Sequence, residues 1–133
     1  MSQPNGSNMH RNVIYRDGKD LAGQVVPISS YDTDASEVFW EWMADYEALT
    51  GGRIFAIPHG GNLSNGLMFD DTTLSGAPLT AEYAARRMQY KPLYEITQMK
   101  GDGEAHPMLS SDDEFADYGT WDKGSFGEDP QDA

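Results

Sequence analysis

"GGRIFAIPHGGNLSNGLMF", residues 51–69, is the stretch on which the fold turns. Gly51 and Gly52 can adopt the left-handed backbone that stops a helix. Arg53 to Ile57 then reads as a short apolar strand. Pro58 and His59 end it, and a polar loop of Gly, Asn and Ser follows. Helix stop, strand and loop in that order are the sequence signs of an α/β unit. The loop runs on to Pro78. A connection of that length inside a compact domain is more often functional, or a lid, than idle.

Upstream of the glycines, Ala35 to Leu49 has a helical pattern. Val38, Phe39, Trp42, Met43, Tyr46 and Leu49 recur on one face. Asp34 can cap the start, with Glu37 as the reciprocal partner of a capping box. Earlier still, Asn12 to Arg16 and Gln24 to Ile28 read as strands separated by the Asp17-Gly18 turn, although Pro27 marks an edge or an end. Downstream of the loop, Thr80 caps a second helix running to about Tyr90. Pro92 breaks it, and Leu93 to Gln98 reads as a further strand. Strands interleaved with helices predict an α/β fold with an at least partly parallel sheet. After Lys100 the periodicity is lost and a long irregular C-terminal segment follows.

The chain has 133 residues, enough for one modest core, and its apolar fraction of 38% is below the globular average, which leaves much of it to loops. It has 22 acidic and 9 basic residues, a net charge of −13, which argues against nucleic acid or an anionic membrane as partner. From Gly101 onward ten acidic residues face Lys123 alone. Such a cluster reads as a solvated surface or tail, or as a cation site. With no cysteine, disulfides and thiolate metal sites are excluded, and any metal must be held by His, Asp, Glu or water. No apolar run is long enough to cross a bilayer, and the first residues lack the apolar stretch of a secretory signal. The expected compartment is cytoplasmic if the chain is complete, periplasmic if an export signal precedes it.

Several residues are of types that carry chemistry. His59 follows the C-terminal end of a strand, where α/β folds bind ligands. It is either a metal ligand or a histidine bonded to its own loop. In GGNLSN, the glycines with Asn62, Ser64 and Asn65 could cradle an oxyanion, although there is no P-loop pattern; a plain turn reads equally well. Glu95 lies inside the apolar run LYEITQ. It is paired or cation-bound if buried, and unremarkable if the strand is half exposed. Glu104 and His106 follow Lys100 in KGDGEAH. They are two apart and would share one face of an extended segment as ligands, as an acid/base pair, or merely as a polar loop. Ser64 lacks a nucleophile-elbow context. Trp40, Trp42 and Trp121 read as packing residues.

The blocks SNMHRNVIYRDG, GGRIFAIPHGGNLSNGLMF, PLYEITQMKGDGEAHP and SSDDEFADYGTWDKG, in this order over about residues 3–125, resemble a bacterial family labelled a domain of unknown function and allied to the PHP (polymerase and histidinol phosphatase) metallohydrolases. The resemblance implies a distorted βα barrel with a metal cluster at the C-terminal ends of its strands, hydrolysing small phosphate esters with Mn, Zn or Fe. It implies His59 of the IPH block and Glu95 as metal-site residues, and Glu104 and His106 as catalytic residues at the same mouth. Asn62, Ser64, Asn65 and Lys100 would lie on the substrate side. Where the family often has Asn after the IPH histidine, this chain has Gly60. The HxH and DxH motifs of PHP proteins do not occur, since His10, His59 and His106 are the only histidines. The resemblance therefore implies an incomplete barrel. Residues 1–125 would be the central portion of a metallohydrolase, inactive alone and prone to self-association, and 126–133 a disordered acidic tail. The alternative is a non-catalytic α/β remnant or interaction module.

Overall fold

The computed structural model describes residues 7–73, 75–102 and 105–119. Trp121, Glu104 and the acidic stretch 126–133 lie outside the described residues. Strand β1 spans Arg11–Tyr15, helix α1 Lys19–Ala22, helix α2 Ser36–Thr50 and strand β2 Ile54–Pro58. A 3-10 turn at Gly61–Leu63 follows, then helix α3, Ala81–Tyr90, and a small hairpin of β3, Thr97–Gln98, and β4, Gly101–Asp102. Helix and strand are mixed, as an α/β chain requires, and no described helix is long and apolar enough to cross a membrane.

The expected parallel pairing is not what forms. Among the described residues both small sheets are antiparallel: β1 pairs β2 from Arg11↔Pro58 to Tyr15↔Ile54, and β3 pairs β4. The reason lies in the course of residues 16–35. A strand–helix–strand crossover gives parallel strands when the helix itself carries the chain back. Here the irregular segment makes the return. The N-terminal turn of α2 sits beside the start of β1, where Arg11 Nη2 donates to Ser36 Oγ at 2.6 Å. Further along α2, Tyr46 meets Tyr15, at the far end of β1, edge to face at 5.1 Å. Helix α2 thus runs alongside β1 in the same sense, and β2 must come back against both. Asp17 fastens the turn: its carboxylate accepts the Arg53 amide at 2.7 Å, and the Arg16 amide donates to the Arg53 carbonyl at 3.0 Å.

The core forms where α2 lies on this ribbon. Phe39, Trp40, Met43 and Tyr46 of α2, Ile54 and Ala56 of β2, and Tyr90 of α3 are buried together. The buried stripe is narrower than the periodicity predicts. Val38 and Leu49 are exposed, whereas Trp40 is buried, because α3 covers a second flank and Tyr83 meets the Trp40 ring edge-on at 5.0 Å. Trp42 stacks on Phe39 and donates its indole N–H to the Val26 carbonyl.

Other elements also depart from expectation for identifiable reasons. Residues 24–28 form no strand; the run contains Pro27, which lacks an N–H, and Val25 and Ile28 pack on the core while Val26 faces solvent. Asp34 does not cap α2. Ala35 holds the N-cap position with no side-chain cap, and the Glu37 carboxylate lies near enough to Tyr83 to help raise its pKa. Thr80 does cap α3, accepting the Tyr83 amide, and Gly51 closes α2 at φ 69°. Of residues 93–98 only Thr97 and Gln98 pair as a strand, and the irregular stretch expected after Lys100 first contributes β4. The long loop after β2 is folded on itself by turns and by a bridge between Thr72 and Pro78.

Candidate functional site at the open end of the ribbon

Antiparallel pairing has a direct consequence for the histidines. His10 precedes β1 and His59 follows β2, so both extend the ribbon at its Arg11–Pro58 end and stand across from one another. The His59 amide donates to the His10 carbonyl at 3.3 Å, and the two rings lie with centres 5.7 Å apart, inclined by 56°. Parallel strands would have placed the two residues at opposite ends of the sheet. That is why reading the sequence as a parallel unit passed over His10.

Asn8 holds this end together. It is buried, its amide donates to the carbonyls of His59 and Gly60 at 3.0 and 2.9 Å, and its carbonyl oxygen accepts the His10 amide. One side chain thus fixes the backbone on both sides of the histidine pair. Glu95 grips the same turn from the other side. Its Oε2 accepts the Gly60 amide at 3.0 Å while its own amide donates to the Pro58 carbonyl at 3.1 Å. Of the two alternatives left open for Glu95, the structure has it half-buried, with its carboxylate accepting one backbone N–H.

The glycines of the loop are required by crowding. Gly60 is left-handed at φ 61°, and a Cβ there would lie 2.4 Å from Asn8 Nδ2 and 2.6 Å from Gln98 Nε2. A Cβ on Gly61 would sit 1.4 Å from the Tyr94 hydroxyl. Burial and the neighbouring Glu95 charge push the Tyr94 hydroxyl above its ordinary pKa, against a hydrogen bond from the Gly61 amide.

The polar loop residues are largely engaged in shaping it. Asn62 donates to the Lys100 carbonyl at 2.9 Å and so ties the loop to the β3–β4 turn. Ser64 is fully buried and its hydroxyl accepts the Met68 amide. Asn65 turns the chain at φ 52°. Lys100 is exposed in the hairpin turn, close enough for its charge to act on His10. The His10 imidazole is held below its ordinary pKa, chiefly by burial and further by His59 and Lys100, which favours the neutral form that can bind a metal.

His59, Glu95, Asn62 and Lys100 therefore come together, and His10 and Asn8 join them. His106 lies in an exposed turn, where its Nδ1 accepts the Met108 amide at 3.2 Å. Glu104 lies outside the described residues, so the expected Glu104–His106 pair does too. The signal that could have found His10 is its position: one histidine immediately outside each of two strands of equal length.

No curated protein and no solved structure matches the chain. A family model does, over residues 1–132, nearly the whole length. The chain belongs to the family described as "Protein of unknown function (DUF3604)".

Proposed function

We propose that this chain is part of a metal-dependent phosphoesterase allied to the PHP metallohydrolases, with His10 and His59 among the ligands of a divalent metal such as Mn, Zn or Fe. The observation that carries this reading is the facing pair of imidazoles at the open end of the ribbon. An imidazole nitrogen binds zinc at about 2.0–2.1 Å, which leaves the ring centre roughly 3.2 Å from the ion; two rings at a near-tetrahedral angle then have centres about 5–6 Å apart. The separation of 5.7 Å agrees. With no cysteine in the chain, nitrogen and oxygen donors are the available set, and they suit these metals.

A metal there would supply Lewis acidity for phosphate-ester hydrolysis. The protein's own contribution is positional. Asn8 and Glu95 hold the backbone around His59, which fixes where its side chain starts, and Gly60 allows the close approach this needs. Lys100 at the rim favours an anionic substrate. In this reading further metal ligands come from parts of a larger barrel beyond these 133 residues, and the chain by itself hydrolyses nothing at an enzymatic rate.

Titrating the purified chain with Mn or Zn tests the proposal. Saturable, stoichiometric binding lost on His59→Ala supports it, together with no phosphomonoester hydrolysis beyond background. Absence of binding, or diffuse binding indifferent to His59→Ala, contradicts it. That result favours a second reading, a non-catalytic interaction module. The second reading draws on the apolar side chains beside the mouth: Leu93, Ile96 and Met99 are 55%, 52% and 93% exposed, a surface suited to self-association or a partner.

A further inference from the structure

The β3–β4 hairpin packs against the turn that follows His59. Glu95, just before the hairpin, donates its amide to the Pro58 carbonyl, and Asn62 Nδ2 donates to the Lys100 carbonyl in the hairpin turn. These two bonds, one on each side of β3 in the sequence, set Gln98 beside Gly60. Gln98 Nε2 lies 2.6 Å from the point that a Cβ on Gly60 would occupy, and Asn8 Nδ2 closes on the same point. Two side-chain amides thus meet at one glycine, and they are used differently.

The Asn8 amide is committed to the backbone. It donates to the His59 and Gly60 carbonyls, and its oxygen accepts the His10 amide. The Gln98 amide makes no hydrogen bond among the described residues, although the residue is half-buried. Glu95 also has capacity left. Its Oε2 accepts the Gly60 amide, and a carboxylate offers about four lone-pair positions. Glu95 and Gln98 line one hollow, together with Gly60, Gly61, Asn62 and Tyr94. Its volume is about 10 Å³, room for a single group the size of a water molecule. Of the residues expected on the substrate side, Asn62 and Ser64 are engaged in shaping the loop.

The lining selects what fits. A carboxylate only accepts hydrogen bonds, whereas an amide both donates and accepts. An ionised phosphoryl oxygen has no proton to give Glu95 and carries charge of the same sign, so this hollow does not suit it. A hydroxyl group donates to the carboxylate and accepts from the amide. It does there what a water would do, and it replaces that water without losing hydrogen bonds. We propose that Glu95 and Gln98 receive a hydroxyl group of the substrate, so that the ester is a polyol or sugar phosphate rather than a simple alkyl or aryl phosphate. The inference rests on the metal reading, which places the phosphoryl group at the histidine pair beside this turn.

Calorimetric titration of the full 133-residue chain, first with zinc and then, zinc-loaded, with glycerol phosphate or propyl phosphate, tests this. The two esters share the phosphoryl group and the length of the carbon chain and differ in their hydroxyls. The unaltered chain is expected to bind glycerol phosphate about tenfold or more tighter than propyl phosphate, the worth of a charge-assisted hydrogen bond. Gln98→Leu is expected to remove that preference while leaving zinc affinity and propyl phosphate binding unchanged. Glu95→Gln keeps an oxygen for the Gly60 amide and is expected to remove the preference as well. Three results would overturn this inference and leave the metal reading standing: no binding of either ester, equal binding of both by the unaltered zinc-loaded chain, or a preference for glycerol phosphate that survives both substitutions. A chain that binds no zinc would overturn the metal reading and this inference with it.

Discussion

The two ends of the β1–β2 ribbon differ in what joins their chain segments. At the Tyr15–Ile54 end, apolar burial closes the structure: Tyr46 and Met43 are fully buried, and Asp17 merely fastens the turn. At the Arg11–Pro58 end Met9, Leu63 and Met68 are buried as well, but the segments around the histidines are joined by polar side chains. Asn8, Glu95 and Asn62 hold three chain segments through hydrogen bonds to backbone. Burial is non-directional and tolerates repacking, whereas a hydrogen-bonded junction fixes atoms in place. The first suits a scaffold and the second suits a site, where side chains must be held in position for a ligand.

The largest effect should come from the closed end. Met43→Ala removes a fully buried side chain from the core and is expected to cost about 2–5 kcal/mol in chemical denaturation, with the whole chain unfolding at lower denaturant. A loss comparable to a surface change would mean that the core does not hold the ribbon.

At the open end, Gly61→Ala would drive a methyl group into the Tyr94 hydroxyl, and such overpacking costs roughly 1–3 kcal/mol. It should act locally. Exchange protection of the Gly60 amide, which Glu95 secures, should fall more than that of the α2 amides. Equal loss everywhere would erase the distinction between the two ends. Thr80→Ala, which removes the cap of α3, is expected to cost about 1 kcal/mol.

Lys91 adds a pH signature. Its folded pKa is about 8 against an ordinary 10.5, so between these values the unfolded chain binds more protons. Stability should therefore rise with pH from about 8 towards 10, as Lys91 sheds a charge that burial, and then Arg87 and Arg11, disfavour. Lys91→Met should flatten that rise, because it removes the titrating group; an unchanged profile would contradict the burial of its ammonium. The smallest effect expected is Tyr46→Phe. The buried Tyr46 hydroxyl has no hydrogen-bond partner among the described residues, so its removal should be near neutral or slightly stabilising.

Much of the scaffold was legible in the sequence. Gly51, Thr80 and Pro92 mark helix ends through local rules, and the α2 periodicity identified Phe39, Met43 and Tyr46 as core. The direction of β2 was not legible. Nothing local in residues 16–35 says that an irregular segment, rather than the helix, will carry the chain back. That one non-local fact decided which residues share an end, and with it the visibility of His10. Asn8 was missed for a related reason. Its partners, His59 and Gly60, are more than fifty residues away in sequence, and no spacing rule reaches that far. His59 and Glu95 stood out in the sequence because one ends an apolar run and the other interrupts one.

The central claim is that antiparallel pairing joins His10 and His59 in one site. Zinc titration of the unaltered chain, His10→Ala, His59→Ala and the double variant tests it most directly. The account predicts one zinc site, weakened roughly tenfold or more by either single change, with the double variant little worse than each alone. Zinc binding by His10→Ala indistinguishable from that of the unaltered chain, with binding lost only in His59→Ala, would contradict it.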